Sequence, residues 1–283
     1  MRGWWLGICL LLFACDPLLG EPTPQISVAP SLAPSPTVLP IISPQPSDVF
    51  VGRSDPTAAA LAAEGHPSLD PSEIINPTEA SIPITVIAAD GTALHAEYYG
   101  APFRPASAIL ILHGEESDLS PLQILGSSLQ TAGYSVMLLY QRGYSPSGGQ
   151  VDWSLSDDDA LSALNTLGTL PDIQSMTVLA QGQSTVGAVM ACQQQPRCGR
   201  IILLDPLPND LLMPVSDLAG LVGNLPLLAL AGEERPFSLQ MTQTLAATGQ
   251  ANITTQTYPG ALWLPDQITP PILSWLTQHP LPD

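Results

Sequence analysis

The sequence predicts an α/β domain: a mainly parallel central sheet with helices on both faces, an antiparallel hairpin at its start and no cap domain. Three observations predict it. Apolar runs such as "SAILILH", "SVMLLY" and "RIILLD" carry no polar alternation, as strands buried on both faces do. Helix-like stretches separate these runs, which is the alternation that builds a parallel sheet. Asp90-Gly91 joins two β-type runs in "IPITVIAADGTALHAEYYG", a strong hairpin signal because both residues tolerate the turn conformation.

The first 14 residues read as an export signal. Arg2 is the positive region, and residues 3–14 form an apolar segment too short to span a bilayer as a helix. Cys15 follows, and "LFAC" resembles a bacterial lipobox. That resemblance implies acylation of Cys15 and a membrane held through the lipid, each buried CH₂ contributing roughly 0.8 kcal/mol. Residues 15–80 are then the acylated cysteine and a proline-rich tether without helical period, in which "TAAALAAE" is the one short helical candidate.

Residues 81–283 are the expected globular domain. After the hairpin come a strand at 107–113, a helix at 118–132, a strand at 135–140 and a helix at 153–168. The acidic start "SDDDA" of that helix suits its dipole. A strand at 176–181 leads to a helix ending near 194, and further strands lie at 200–205, 225–231 and 253–258. A last helix covers about 267–278. Only about 20 residues separate the sixth and seventh strands, too few for a cap, so any pocket is expected to be shallow.

Composition excludes some functions. The chain has 25 Asp and Glu against 7 basic residues, none of them lysine, and a net charge of −18. It has little with which to replace the counterions of a phosphate backbone, so no nucleic-acid partner is expected. Anionic lipid headgroups are disfavoured for the same reason. Charged residues are only 11% and hydrophobic residues 45%, enough to fill a sizeable core. Cys9 leaves with the signal and Cys15 takes lipid. Cys192 and Cys198 remain, and in an oxidising compartment a pair across so short a loop reads as a disulfide. No further ligands that zinc would need are visible nearby, so no metal and no cofactor is expected.

The segment "AQGQSTVG" places Ser184 at the end of the fifth strand. Together with the element order, it resembles the nucleophile turn of the α/β-hydrolase superfamily, a likeness covering about residues 82–281. In that family the serine sits on a tight strand-to-helix turn between small residues. Gly182 fits the first small position, Val186 stands in the second, and Gly187 keeps the helix close to the sheet. "LHGEE" at 112–116 resembles the segment whose backbone N–H groups help bind an oxyanion. The resemblance implies Gly114, Glu115 and Thr185 as donors, with the carboxylates of Glu115 and Glu116 solvated. "YQRGYSPSGG" resembles the loop after the fourth strand, with Tyr140 and Tyr144 replacing its usual Asp and His.

The rest of a triad is missing. A serine hydroxyl needs a base and the base an orienting acid. The resemblance puts the acid where Arg235 stands and the histidine where Trp263 stands, and an indole cannot accept a proton. Asp205, ending the sixth strand, is a substitute acid. His113 and His279 are the remaining candidates for a recruited base, the usual role of His113 being structural. The expectation is a lipid-anchored extracytoplasmic domain of hydrolase fold, catalytically impaired and binding a ligand or protein. An active serine esterase using Ser184 and a purely structural envelope lipoprotein are the alternatives.

Overall fold

The structure, a computed structural model, describes residues 81–103, 105–170, 172–207, 215–260 and 263–281. The expected signal, Cys15 and the tether lie outside the described residues.

The chain opens with β1 (Ile82–Ile87) and β2 (Ala93–Tyr99). Their turn holds Gly91 at φ 86°, a left-handed value that favours glycine. Asp90 Oδ1 accepts the Thr92 N–H at 2.9 Å. Then follow β3 (Ala106–Leu112), α1 (Ser120–Thr131), β4 (Ser135–Leu139), α2 (Ser156–Thr169), β5 (Ile173–Gln181) and α3 (Thr185–Gln194). The described chain ends with β6 (Cys198–Leu204), α4 (Val215–Val222), β7 (Leu227–Gly232), α5 (Pro236–Ala247), β8 (Ile253–Tyr258) and α6 (Pro265–Gln278). The sheet order is β1-β2-β4-β3-β5-β6-β7-β8. Strand β2 is antiparallel to β1 and β4, and every other pairing is parallel.

Period-two geometry divides the apolar strands between two layers. In β3, Ala108, Leu110 and Leu112 join a core with residues of α2, α3, α4 and α5. Ile109 and Ile111 point the other way, into a core with residues of α1 and α6. Both faces of the central strands are thus covered, which is why those strands read as unbroken apolar runs. Burial sums to the main driving force, about 25 cal/mol per Å² of apolar surface.

Boundaries moved by a few residues from expectation. Residues 153–155 form a 3₁₀ turn ahead of α2, because Asp152 accepts the Ser154 N–H and caps there. Helix α6 starts at Pro265 rather than 267, since proline at a first helical position needs no N–H partner. Gly187 packs α3 not on the sheet but on the start of α2, where a Cβ would meet the Ser156 carbonyl carbon at 2.8 Å and the Asp157 nitrogen at 2.9 Å. Cys192 and Cys198 form the expected disulfide, with sulfurs 1.99 Å apart, tying the end of α3 to the start of β6.

Candidate active site

Strand β5 ends at Gln181, and the chain turns at once. Gly182 has φ 58°, and Gly182–Ser184 form a single 3₁₀ turn into α3. Ser184 itself has φ −69° and ψ −7°, ordinary helical backbone. Ser184 thus lies within a tight strand-to-helix turn, as the resemblance implies, but the left-handed residue of that turn is Gly182, because a residue without Cβ takes that conformation freely.

Ser184 is 0% exposed. Its hydroxyl donates to the His113 carbonyl oxygen and accepts from Gln141 Nε2 at 3.1 Å. Both partners are hydrogen-bond anchors rather than bases. Thr185, expected to offer an oxyanion donor, gives its N–H to the Gly182 carbonyl within the same turn. That donor is already spent.

His113 is buried, and its ring is fixed at both nitrogens. Nε2 accepts the Gln141 N–H at 2.8 Å, which leaves Nδ1 to donate to the Gly114 carbonyl at 2.6 Å. Burial pulls its pKa down from 6.5 to about 4, against the opposing pull of the Gly114 carbonyl. The ring is neutral at pH 7 and meets Ser184 only through its own backbone carbonyl. His279 lies at the other end of the sheet. It follows α6, stacks on Trp275 and has its carbonyl bound by Arg200 near the start of β6. Neither imidazole is a hydrogen-bond partner of the Ser184 hydroxyl among the described residues.

Asp205 follows β6 with φ 46° and is buried. Its Oδ1 accepts the Gly232 N–H at 2.9 Å and its Oδ2 accepts the Tyr258 hydroxyl. Burial and this carboxylate push the Tyr258 pKa up. Arg235 Nε stands 3.7 Å from the same Oδ2. The acid thus ties together the ends of β6, β7 and β8, with no imidazole among those partners. Trp263 is 7% exposed and belongs to the core layer that contains Tyr258 and Ile268. Arg235 also reaches toward Glu116, with Nη1 3.9 Å from Oε1.

Gly114 is surrounded by oxygen. A Cβ placed on it would meet Glu116 Oε2 at 2.8 Å and the Gln181 carbonyl and Gln183 Oε1 at 3.2 Å each. Glu115 is exposed, as expected. Glu116 differs from the expectation: its Oε2 is buried and has no hydrogen-bond partner among the described residues. A buried acceptor beside Gly114 opposes the charge that an oxyanion site must stabilise. Gln141 and Tyr258 were not singled out in the sequence, whereas Glu116 was, as a solvated carboxylate. The position of Tyr258 at a strand end was the only available signal for it, and nothing local marks Gln141.

The loop after β4 is intact. Arg142 donates to both oxygens of buried Asp159 at 2.6 Å and to Asp90 at 2.9 Å. Ser147 donates to the Tyr140 carbonyl and accepts the His95 N–H. Tyr140, standing where an Asp is usual, donates instead to Glu97 at 2.6 Å. A surface recess lined by Gln141, Arg142, Tyr144, Val151, Asp152 and Trp153 is too shallow to enclose even a water molecule, unlike an ordinary ligand pocket. Among the described residues no group of three or more His, Cys, Asp or Glu is placed to hold a metal ion.

The sheet order, the hairpin and the turn after β5 define the α/β-hydrolase fold, and solved structures bear the assignment out. A putative α/β hydrolase from Agrobacterium tumefaciens matches at a TM-score of 0.60 and 20% identity over 71% of this chain and 100% of that one. An esterase from Pyrococcus furiosus matches at 0.60 and 12%, covering 71% of this chain and 92% of that one. A lidless α/β serine hydrolase from Xanthomonas campestris matches at 0.57 and 12%, covering 72% and 97%. At such identities the likeness fixes the fold. No family model matches the chain, and no curated protein does.

Proposed function

We propose that this chain is a lipid-anchored extracytoplasmic protein whose α/β-hydrolase-fold domain is catalytically impaired and binds a ligand or a protein partner. One observation carries the reading: the Ser184 hydroxyl is buried between the His113 carbonyl and the Gln141 amide, with no imidazole among its partners. A hydroxyl so held has no proton acceptor to activate it. Loss of a base alone costs a serine hydrolase on the order of 10⁶ in turnover. The anchor rests on the sequence around Cys15.

A fluorophosphonate probe and a short-chain aryl ester test the impaired state. The expected result is no labelling and no turnover above a Ser184→Ala control. Labelling that disappears in Ser184→Ala overturns it and favours the second reading, an active serine esterase, which the esterase and serine-hydrolase neighbours support. The anchor is tested by detergent phase partition of the wild type and Cys15→Ser. The wild type should enter the detergent phase and the variant should not.

A further inference from the structure

We propose that Gly182, not Ser184, occupies the nucleophile position of this fold, so that the chain lacks the reacting side chain as well as its base. The inference rests on the impaired-hydrolase reading and deepens it. An elbow nucleophile sits on the sharp turn directly after its strand, with its side chain raised over the sheet end. Gly182 is the first residue after β5 and has φ 58°. Ser184 comes two residues later in relaxed helical backbone.

Direction agrees with position. A Cβ on Gly182 would meet two atoms within 4 Å, Gly114 Cα at 3.6 Å and Leu207 Cδ1 at 3.8 Å. Those atoms follow β3 and β6, the two strands that flank β5. A side chain at 182 would therefore rise between the loops that border a catalytic cleft in this fold, without a clash. The Ser184 hydroxyl points to the His113 carbonyl instead.

The flanking residues agree as well. A tight elbow needs small residues two positions to either side. Around Gly182 these are Ala180 and Ser184, both buried. Around Ser184 they are Gly182 and bulky Val186. The donor that would follow a Ser184 apex is already spent, since the Thr185 N–H is consumed by the Gly182 carbonyl. Strain supplies the reason for a glycine. A non-glycine residue held in this backbone region is strained, tolerable where it serves chemistry and relieved by glycine where it does not.

Thiol accessibility in the full chain tests the placement independently of activity. Gly182→Cys and Ser184→Cys are each treated with a small methanethiosulfonate under native conditions, and modification is read peptide by peptide by mass spectrometry. Cys192 and Cys198 are bonded and serve as unreactive internal controls. The thiol at 182 should react at least about 100-fold faster than the thiol at 184, which should stay silent until denaturant exposes it. Equal rates, the reverse order, or a native 182 thiol that does not react overturns the inference. If Gly182→Cys loses its cooperative melt, Ser184→Cys alone decides: native protection supports the placement and native reactivity overturns it. The two readings fail separately. Fluorophosphonate labelling of wild-type Ser184 sinks both, whereas an unlabelled wild type with a reactive 184 thiol sinks only this one.

Discussion

The loops after β3 and β4 and the loops after β5, β7 and β8 face the same end of the sheet, yet they hold their polar groups differently. On the first side, His113, Arg142 and Ser147 are locked in short hydrogen bonds to fixed partners. On the second, Gly182 at the turn after β5 has no side chain, Arg235 after β7 is partly exposed, and Trp263 after β8 is an indole packed into the core. The first set holds backbone in place, so its loss costs stability whether or not the protein is an enzyme. What folding draws from the second set is the apolar packing of Trp263, which asks for no nucleophile, acid or base there. Folding alone preserves the supports and leaves the reacting positions free to change.

Arg142→Ala should break the comparison most severely if it is right. Removing the guanidinium leaves the Asp159 carboxylate buried and unpaired, which costs about 3–5 kcal/mol. Urea unfolding would show it as a lower midpoint at unchanged slope. A loss below about 1 kcal/mol would mean that the support loop is not what holds this end of the sheet.

His113 gives the next largest effect, through pH. Its folded pKa of about 4 lies below the 6.5 of the free side chain. Between these values the unfolded chain binds a proton that the folded chain does not, so stability rises with pH across that window. The contribution is complete above about pH 6.5 and falls away toward pH 4, by about 3 kcal/mol in all. The difference between wild type and His113→Gln in unfolding free energy should therefore shrink as pH drops from 7 to 4. A constant difference would show that the ring titrates freely.

These supports were largely legible in the sequence and the apex was not. Unalternating strands, Asp90-Gly91 and the paired cysteines each have a local physical cause, so composition and spacing found them. "AQGQSTVG" admits two registers, Gly-x-Ser-x-Val centred on Ser184 and Ala-x-Gly-x-Ser centred on Gly182. A serine draws the eye to the first. Bulky Val186 weighs against the first, and the φ angle of residue 182 decides; that angle depends on where β5 stops, a boundary set by pairing with β3 and β6 rather than by the residues themselves. The partners Gln141 and Tyr258 come from other strands, 43 residues before Ser184 and 53 after Asp205, so no local pattern reports them.

The disulfide sharpens the comparison from outside the site. Closing so short a loop between α3 and β6 removes unfolded-state entropy worth about 2 kcal/mol. Cys192→Ala/Cys198→Ala should lose about that much by chemical denaturation without altering thiol accessibility at 182. Ser184→Ala comes next. It removes the donor to the His113 carbonyl and the acceptor of the Gln141 amide, a net loss of about 1–2 kcal/mol. Activity against an aryl ester should not change, because the hydroxyl is a strut in this arrangement.

Arg235 carries the smallest expected effect and the sharpest contrast with Arg142. Both are arginines near carboxylates, but Arg235 keeps 26% of its side chain exposed and stands 3.7 and 3.9 Å from its acidic neighbours. A partly exposed guanidinium at such distances contributes about 0–1 kcal/mol, because solvent screens the attraction and side-chain entropy opposes it. Asp205 also retains the Gly232 N–H and the Tyr258 hydroxyl when the guanidinium is gone. Arg235→Gln should therefore move the urea midpoint by less than a quarter of the Arg142→Ala shift. A loss as large as that of Arg142→Ala would place Arg235 among the structural supports, and the acid position of the fold would then have been reused for folding rather than simply released.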